Sequence, residues 1–169
     1  MNQHRQHDRG SGGRRHGGGR SGGDQDLQIR MPKPNPVHYY AEGSEAAEKP
    51  ALRVGIIEEA EGLAEKLARV PASQLRRFYG DVTAFERRLD MDRSLTADAI
   101  RAQVALLKAR AAYAYKRTSR REEFPDALLQ FFVDHADAVR KREDYKAFRR
   151  VFETVIAFHK FYEVKKQGG

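Results

Sequence analysis

Two sets of residues in this chain have types and spacing that could do chemistry: one acidic and histidine-bearing run, and a series of basic pairs. Asp134-His135-Ala136-Asp137 sets carboxylates beside a histidine, the grouping by which metal phosphohydrolases hold their ions. A catalytic metal needs further His and Asp ligands converging on it. Beyond the first 23 residues the histidines are His38, His135 and His159, and the last two fall on apolar stripes. His135 is therefore expected to be a packed core residue. His159 is expected to pack and hydrogen-bond, not to serve as a general base. There is no cysteine, which excludes thiolate metal sites and a disulfide scaffold and fits a cytoplasmic protein. No Gly-rich phosphate loop stands between a strand and a helix, and no Ser-His-Asp spacing can be argued. The residues thus point to a chain that is not an enzyme, with no metal and no cofactor.

The basic set is Arg76 and Arg77, Lys108 and Arg110, Lys116 and Arg117, Arg120 and Arg121, then Lys146, Arg149 and Lys160. With a net charge of +8 and a pI near 9.8, a polyanion is a natural partner. The charge is unevenly spread. Residues 1–23 hold Arg5, Arg9, Arg14, Arg15 and Arg20 against Asp8 alone, or +4, which leaves +4 for the remainder. Any nucleic-acid surface on the folded part must therefore come from local clustering. Charge alone leaves open a solvated surface, with acidic neighbours such as Glu86 and Glu153.

Those residues must be positioned by helices. Tyr145, Phe148, Phe152, Val155, His159 and Tyr162 recur three or four residues apart, the period of one helical face. Val151, Ile156, Phe158 and Phe161 widen the stripe past the usual ~100°. This helix is expected at the centre of a bundle, or shared between a core and a partner surface, with Asp144 as its N-cap. A first helix is expected from Pro50 or Ala51 to Arg69, inward through Leu52, Ile56, Ala60, Leu63 and Leu67, with Pro50 opening it. Gly55 and Gly62 each weaken it by roughly 1 kcal/mol relative to Ala, and close approach of another backbone would explain both. A second runs from Pro71 to Leu89, with Leu75, Phe78, Tyr79, Val82, Phe85 and Leu89 inward. A third starts after an N-cap at Thr96 and ends near Arg117, with Ile100, Val104, Leu107, Ala111 and Ala114 inward. A fourth spans Pro125 to Lys141, its stripe Phe124, Leu128, Phe131, Phe132, His135 and Val139. No strand pattern competes. The expected fold is all-α, a compact bundle of about five helices.

One folded domain is expected, with a tail on either side of it. Residues 1–49 form an Arg/Gly-rich tail followed by a Pro-containing linker, 50–165 the helical domain, and 166–169 a C-terminal tail. Residues 1–23 are low-complexity, and from Arg9 to Asp24 no apolar side chain occurs, so this tail is expected to be disordered. Arg–Gly segments bind RNA with little sequence choice, or serve as solvated tails. His4, His7 and His16 lie among these arginines and make a poor metal site. Tyr39 and Tyr40 in the linker are candidates to dock on the domain or on a neighbour. No run of about 18 apolar residues exists, so no membrane span is expected, and the polar N-terminus is not that of a signal peptide.

Three blocks resemble the small subunit of the type III-A CRISPR–Cas (Csm) effector complex. The last helix carries Ala157-Phe158-His159-Lys160-Phe161-Tyr162-Glu163 where that family has Ala-Tyr-His-Lys-Phe-Tyr-Gly. Ser73-Gln74-Leu75-Arg76-Arg77-Phe78 resembles its Ser-Gln-Ile-Arg-Lys-Phe segment. Leu107-Lys108-Ala109-Arg110-Ala111-Ala112-Tyr113-Ala114 resembles its Leu-Lys-Pro-Lys-Leu-Ala-Tyr-Ala segment, with Arg117 where the family places a further Arg. The resemblance covers residues 51–163 in the right order. It implies a non-catalytic subunit stacked in several copies along the guide RNA–target RNA duplex. Backbone and large subunits would be its partners and foreign nucleic acid the object of defence. Arg76, Arg77, Lys108, Arg110, Lys116, Arg117, Arg120, Arg121, Arg149 and Lys160 would be its RNA-binding candidates, touching the target strand without sequence choice. The other reading is a structural helical adaptor without direct RNA contact.

Overall fold

The computed structural model describes residues 30–44, 46–48 and 50–163. The Arg/Gly-rich stretch and the C-terminal tail, with the expectations placed on them, lie outside the described residues. Five helices follow in order: α1 (Val54–Lys66), α2 (Ala72–Met91), α3 (Ala97–Arg117), α4 (Asp126–Ala138) and α5 (Arg142–Tyr162). The described residues contain no strand, only an isolated antiparallel bridge between Tyr40 and Leu52. The all-α bundle expected from periodicity is the fold.

The centre is α5. It packs on α1 and α2, while α3 packs chiefly on α4. Tyr145, Phe148, Val151, Phe152, Val155 and His159 are all buried, as the width of the apolar stripe requires. Ile156 and Phe158 are half-buried, and Phe161 is 83% exposed. The rings interlock: Phe78 lies 4.8 Å from Phe132, Phe131 lies 5.3 Å from Phe152, and Phe85 lies 5.1 Å from Tyr145, centroid to centroid. The Tyr145 hydroxyl donates to the Val82 carbonyl at 3.0 Å, so the buried ring leaves no polar atom unpaired. Truncating such a ring to Ala costs about 3–5 kcal/mol.

Helix ends are satisfied partly by neighbours and partly locally. Thr96 is the N-cap of α3, its Oγ1 accepting from the Ala99 amide at 3.2 Å, as expected. His159 Nε2 lies 3.1 Å from the Leu67 carbonyl and 3.0 Å from that of Val70, so it donates to carbonyl oxygens of the turn that follows α1. The Arg142 guanidinium does the same for α2, donating to the carbonyls of Leu89 and Asp92.

Three local expectations are corrected. α5 starts before Asp144, and Asp144 reaches back from the third helical position. Its Oδ2 accepts from the Arg140 and Lys141 amides at 3.0 and 3.2 Å, and its Oδ1 accepts from the Tyr40 hydroxyl at 3.1 Å. α1 starts at Val54, four residues after Pro50, because Ala51 to Arg53 pair backward with the chain before them. The Ala41 amide donates to the Ala51 carbonyl and the Arg53 amide to that of Tyr39, at 2.9 and 3.0 Å. Gly43 turns the chain between these arms with φ +76°, a conformation glycine adopts without a Cβ clash. Finally, neither helical glycine of α1 faces another backbone. A Cβ at Gly55 would meet the Arg53 side chain, and one at Gly62 would meet nothing within 4 Å.

The segment before α1 is docked on the bundle. Tyr39 is buried beside His135, and Asn35 binds Asp134 through its backbone amide at 2.7 Å. Of the two docking alternatives for Tyr39 and Tyr40, contact with the chain's own domain is the one observed.

Candidate nucleic-acid interface

The Asp134–Asp137 run sits on α4, and its side chains diverge. His135 points into the core, with Nδ1 2.7 Å from the Tyr39 hydroxyl and its ring packed on Phe131 and Phe148. Burial holds its pKa down, at about 3. Asp134 accepts from Gln130 Nε2 at 2.6 Å and from the Asn35 amide. Asp137 pairs with Arg140 at 3.4 Å on the surface. His159 is the hydrogen-bonded core residue expected of it. No group of three His, Asp or Glu residues able to hold a metal occurs among the described residues.

The basic candidates are sorted by their neighbours. Arg149 is largely withdrawn from solvent and held by two carboxylates, Glu86 at 2.8 Å and Glu153. Lys146 pairs with Asp90 at 2.6 Å, which ties α5 to the end of α2. Lys160 pairs with Glu163 at 3.1 Å, and Arg120 with Glu123 at 3.6 Å. Arg121 lies over the Tyr115 ring, 3.9 Å from its centroid, and donates to the Tyr115 carbonyl. Arg110 pairs with Asp81 at 2.6 Å across α3 and α2, with more than half its side chain exposed. Arg76, Arg77, Lys108, Lys116 and Arg117 form no ion pair among the described residues. All but the half-buried Lys108 are exposed.

Part of this set is brought together by the packing. Because α2 rests on α5 and α3 on α4, the α2–α3 hairpin leaves a groove between the start of α2 and the end of α3. Its volume is about 870 Å³. Arg77 enters from α2; Arg110 and Arg117 enter from α3. Arg149, Lys160 and Arg121 are not part of it. Arg76, next to Arg77 but one helical step round, faces the end of α5, where its charge adds to the hydrogen bond from Lys160 that holds Glu163 low.

Among the groove residues that were not site candidates in the sequence are Ser73, Gln74, Leu106 and Tyr113. For the two on α3, Leu106 and Tyr113, a signal existed. Leu106, Ala109, Arg110, Tyr113, Ala114 and Arg117 repeat every three or four residues along α3, a second face beside the buried one of Ile100, Val104, Leu107 and Ala111.

Fold and groove together define a small all-helical protein with a basic cleft between two of its helices. No curated protein and no solved structure matches the chain. The family described as Csm2 Type III-A matches residues 53–165, more than half of the chain, and the chain belongs to that family. Membership makes it a small subunit of the type III-A CRISPR–Cas effector complex. No described helix is long and apolar enough to cross a membrane.

Proposed function

We propose that this chain is a non-catalytic, RNA-binding small subunit that stacks in several copies along the guide RNA–target RNA duplex and contacts the target strand in the cytoplasm. The observation that supports it is the convergence of Arg77 and Arg117, from two helices, on one groove with Arg76 and Lys116 nearby in sequence. Guanidinium groups recognise phosphate oxygens bidentately and carry no base information. Sequence choice would be left to guide pairing. The backbone and large subunits of the complex and further copies of the chain are the protein partners. Family membership supports the assembly; the exposed arginines support the RNA contact.

Replacing Arg76, Arg77 and Arg117 together by Ala tests this. Binding to unrelated RNA duplexes should weaken about equally, and the slope of log affinity against log salt should fall by roughly 0.7–0.9 for each phosphate no longer neutralised. The helical signal should be unchanged, since exposed substitutions usually alter stability by about 0.5 kcal/mol or less. A folded triple variant with wild-type RNA affinity and salt dependence, and normal target capture in the assembled complex, would leave only the adaptor reading.

A further inference from the structure

Phosphate binding explains the arginines of the α2–α3 groove but not what lies between them. Tyr113 and Leu106 are exposed by 67% and 56%, one above the other two turns apart on α3. Gln74, across the groove on α2, has a side-chain Nε2 that is buried and has no hydrogen-bond partner among the described residues. A ring, an isobutyl group and an amide between cations are superfluous for holding a duplex backbone. In a duplex the base faces are stacked on one another and give a tyrosine nothing to stack on. An unpaired base does, and aromatic rings flanked by arginines are how single-stranded nucleotides are held. The volume of about 870 Å³ lies in the range of clefts that take small organic ligands, about 300–1,000 Å³. Of the three arginines in the lining Arg110 is paired with Asp81, which leaves Arg77 and Arg117 against one carboxylate, Glu123, which is itself engaged by Arg120. That balance favours an anionic occupant over an apolar peptide.

We propose that the groove between α2 and α3 receives one unstacked nucleotide of bound RNA, its base lying on Tyr113 and Leu106 and its phosphate between Arg77 and Arg117. Gln74 turns its amide to the base edge when the nucleotide is present, which gives the unpaired Nε2 an acceptor. Arg110 stays on Asp81 and holds the two helices at this spacing. The inference rests on the RNA-binding reading and adds a base-accepting site to it.

The test uses the full chain and three RNA probes: a fully paired duplex, the same duplex with one unpaired nucleotide, and the same with an abasic residue at that position. Affinities are read by fluorescence anisotropy. The wild type should bind the unpaired-nucleotide probe at least fivefold tighter than the other two. Tyr113→Ala should abolish that preference, bringing the three probes to one affinity, and Tyr113→Phe should keep it. Arg117→Ala should weaken binding to all three. Equal wild-type affinity for the three probes would overturn the inference and leave the RNA-binding reading standing, as would a preference that survives Tyr113→Ala. Loss of self-association in Tyr113→Ala, measured by sedimentation, with RNA binding untouched would make the groove an interface between copies and overturn it too. Failure to bind any probe would overturn both readings together.

Discussion

His135 carries the clearest consequence at the scale of single residues. Its ring is sealed among Tyr39, Phe131 and Phe148, and burial holds its pKa at about 3 against an ordinary 6.5. The unfolded chain therefore binds this proton throughout the interval between those values and the folded chain does not. Stability rises with pH across that window: the contribution is whole above about pH 6.5 and is lost as pH falls towards 3. The expected loss is roughly 1 kcal/mol per pH unit. Urea unfolding at pH 7, 6 and 5 should show it, and His135→Gln should flatten that part of the slope whatever it does to absolute stability. Equal slopes in the two proteins would mean that the histidine is not sealed from water.

At the scale of elements, the entry to α5 and the middle of α1 make opposite predictions. Asp144 is buried and serves three donors, the Arg140 and Lys141 amides and the Tyr40 hydroxyl. It ties the first turn of α5 to the segment docked before α1. Asp144→Ala leaves those donors short of an acceptor and should cost about 2–3 kcal/mol in chemical denaturation; a cost under about 0.5 kcal/mol would place the hold on α5 elsewhere. Gly62 has helical neighbours on both sides and open space where a Cβ would stand. Gly62→Ala should raise stability by up to about 1 kcal/mol, because alanine loses less backbone freedom on folding. A destabilised Gly62→Ala would indicate a close approach made only in an assembly.

At the scale of the molecule, charge is divided between two regions. The folded residues neutralise many of their own cations: Arg53 with Glu59, Arg110 with Asp81, Lys146 with Asp90, Arg149 with Glu86 and Glu153. The exposed pairs among them add little stability, but all of them remove those side chains from competition for phosphate. Residues 1–23 carry +4 with one acidic residue. Removing them should make the salt slope of nonspecific RNA binding shallower and lower its affinity. Thermal unfolding should stay within about 0.5 kcal/mol, since no aliphatic or aromatic side chain is removed beyond Met1. A large fall in melting temperature would mean that these residues dock on the bundle.

The local order of this protein was legible in its residues. The three-and-four spacing of Leu75, Phe78, Val82, Phe85 and Leu89, the N-cap at Thr96, and the wide apolar stripe that marks α5 as central each depend on residues within a few turns of one another. Helical periodicity is a local property, so it is read directly. The start of α1 was not, because the bridge from Tyr40 to Leu52 competes with helix for the same amides. The candidate site was half legible. Arg76, Arg77 and Arg117 were marked by exposure-prone positions. Which cations keep their charge available depended on carboxylates far off in sequence, 29 residues from Arg110 to Asp81 and 63 from Arg149 to Glu86. The groove has no local signature. It exists because α2 and α3, consecutive in the chain, find their main partners in α5 and α4 and leave Tyr113 and Leu106 uncovered between them. Only the packing of all five helices could decide that, since which side chains stay exposed depends on where every neighbouring helix comes to rest.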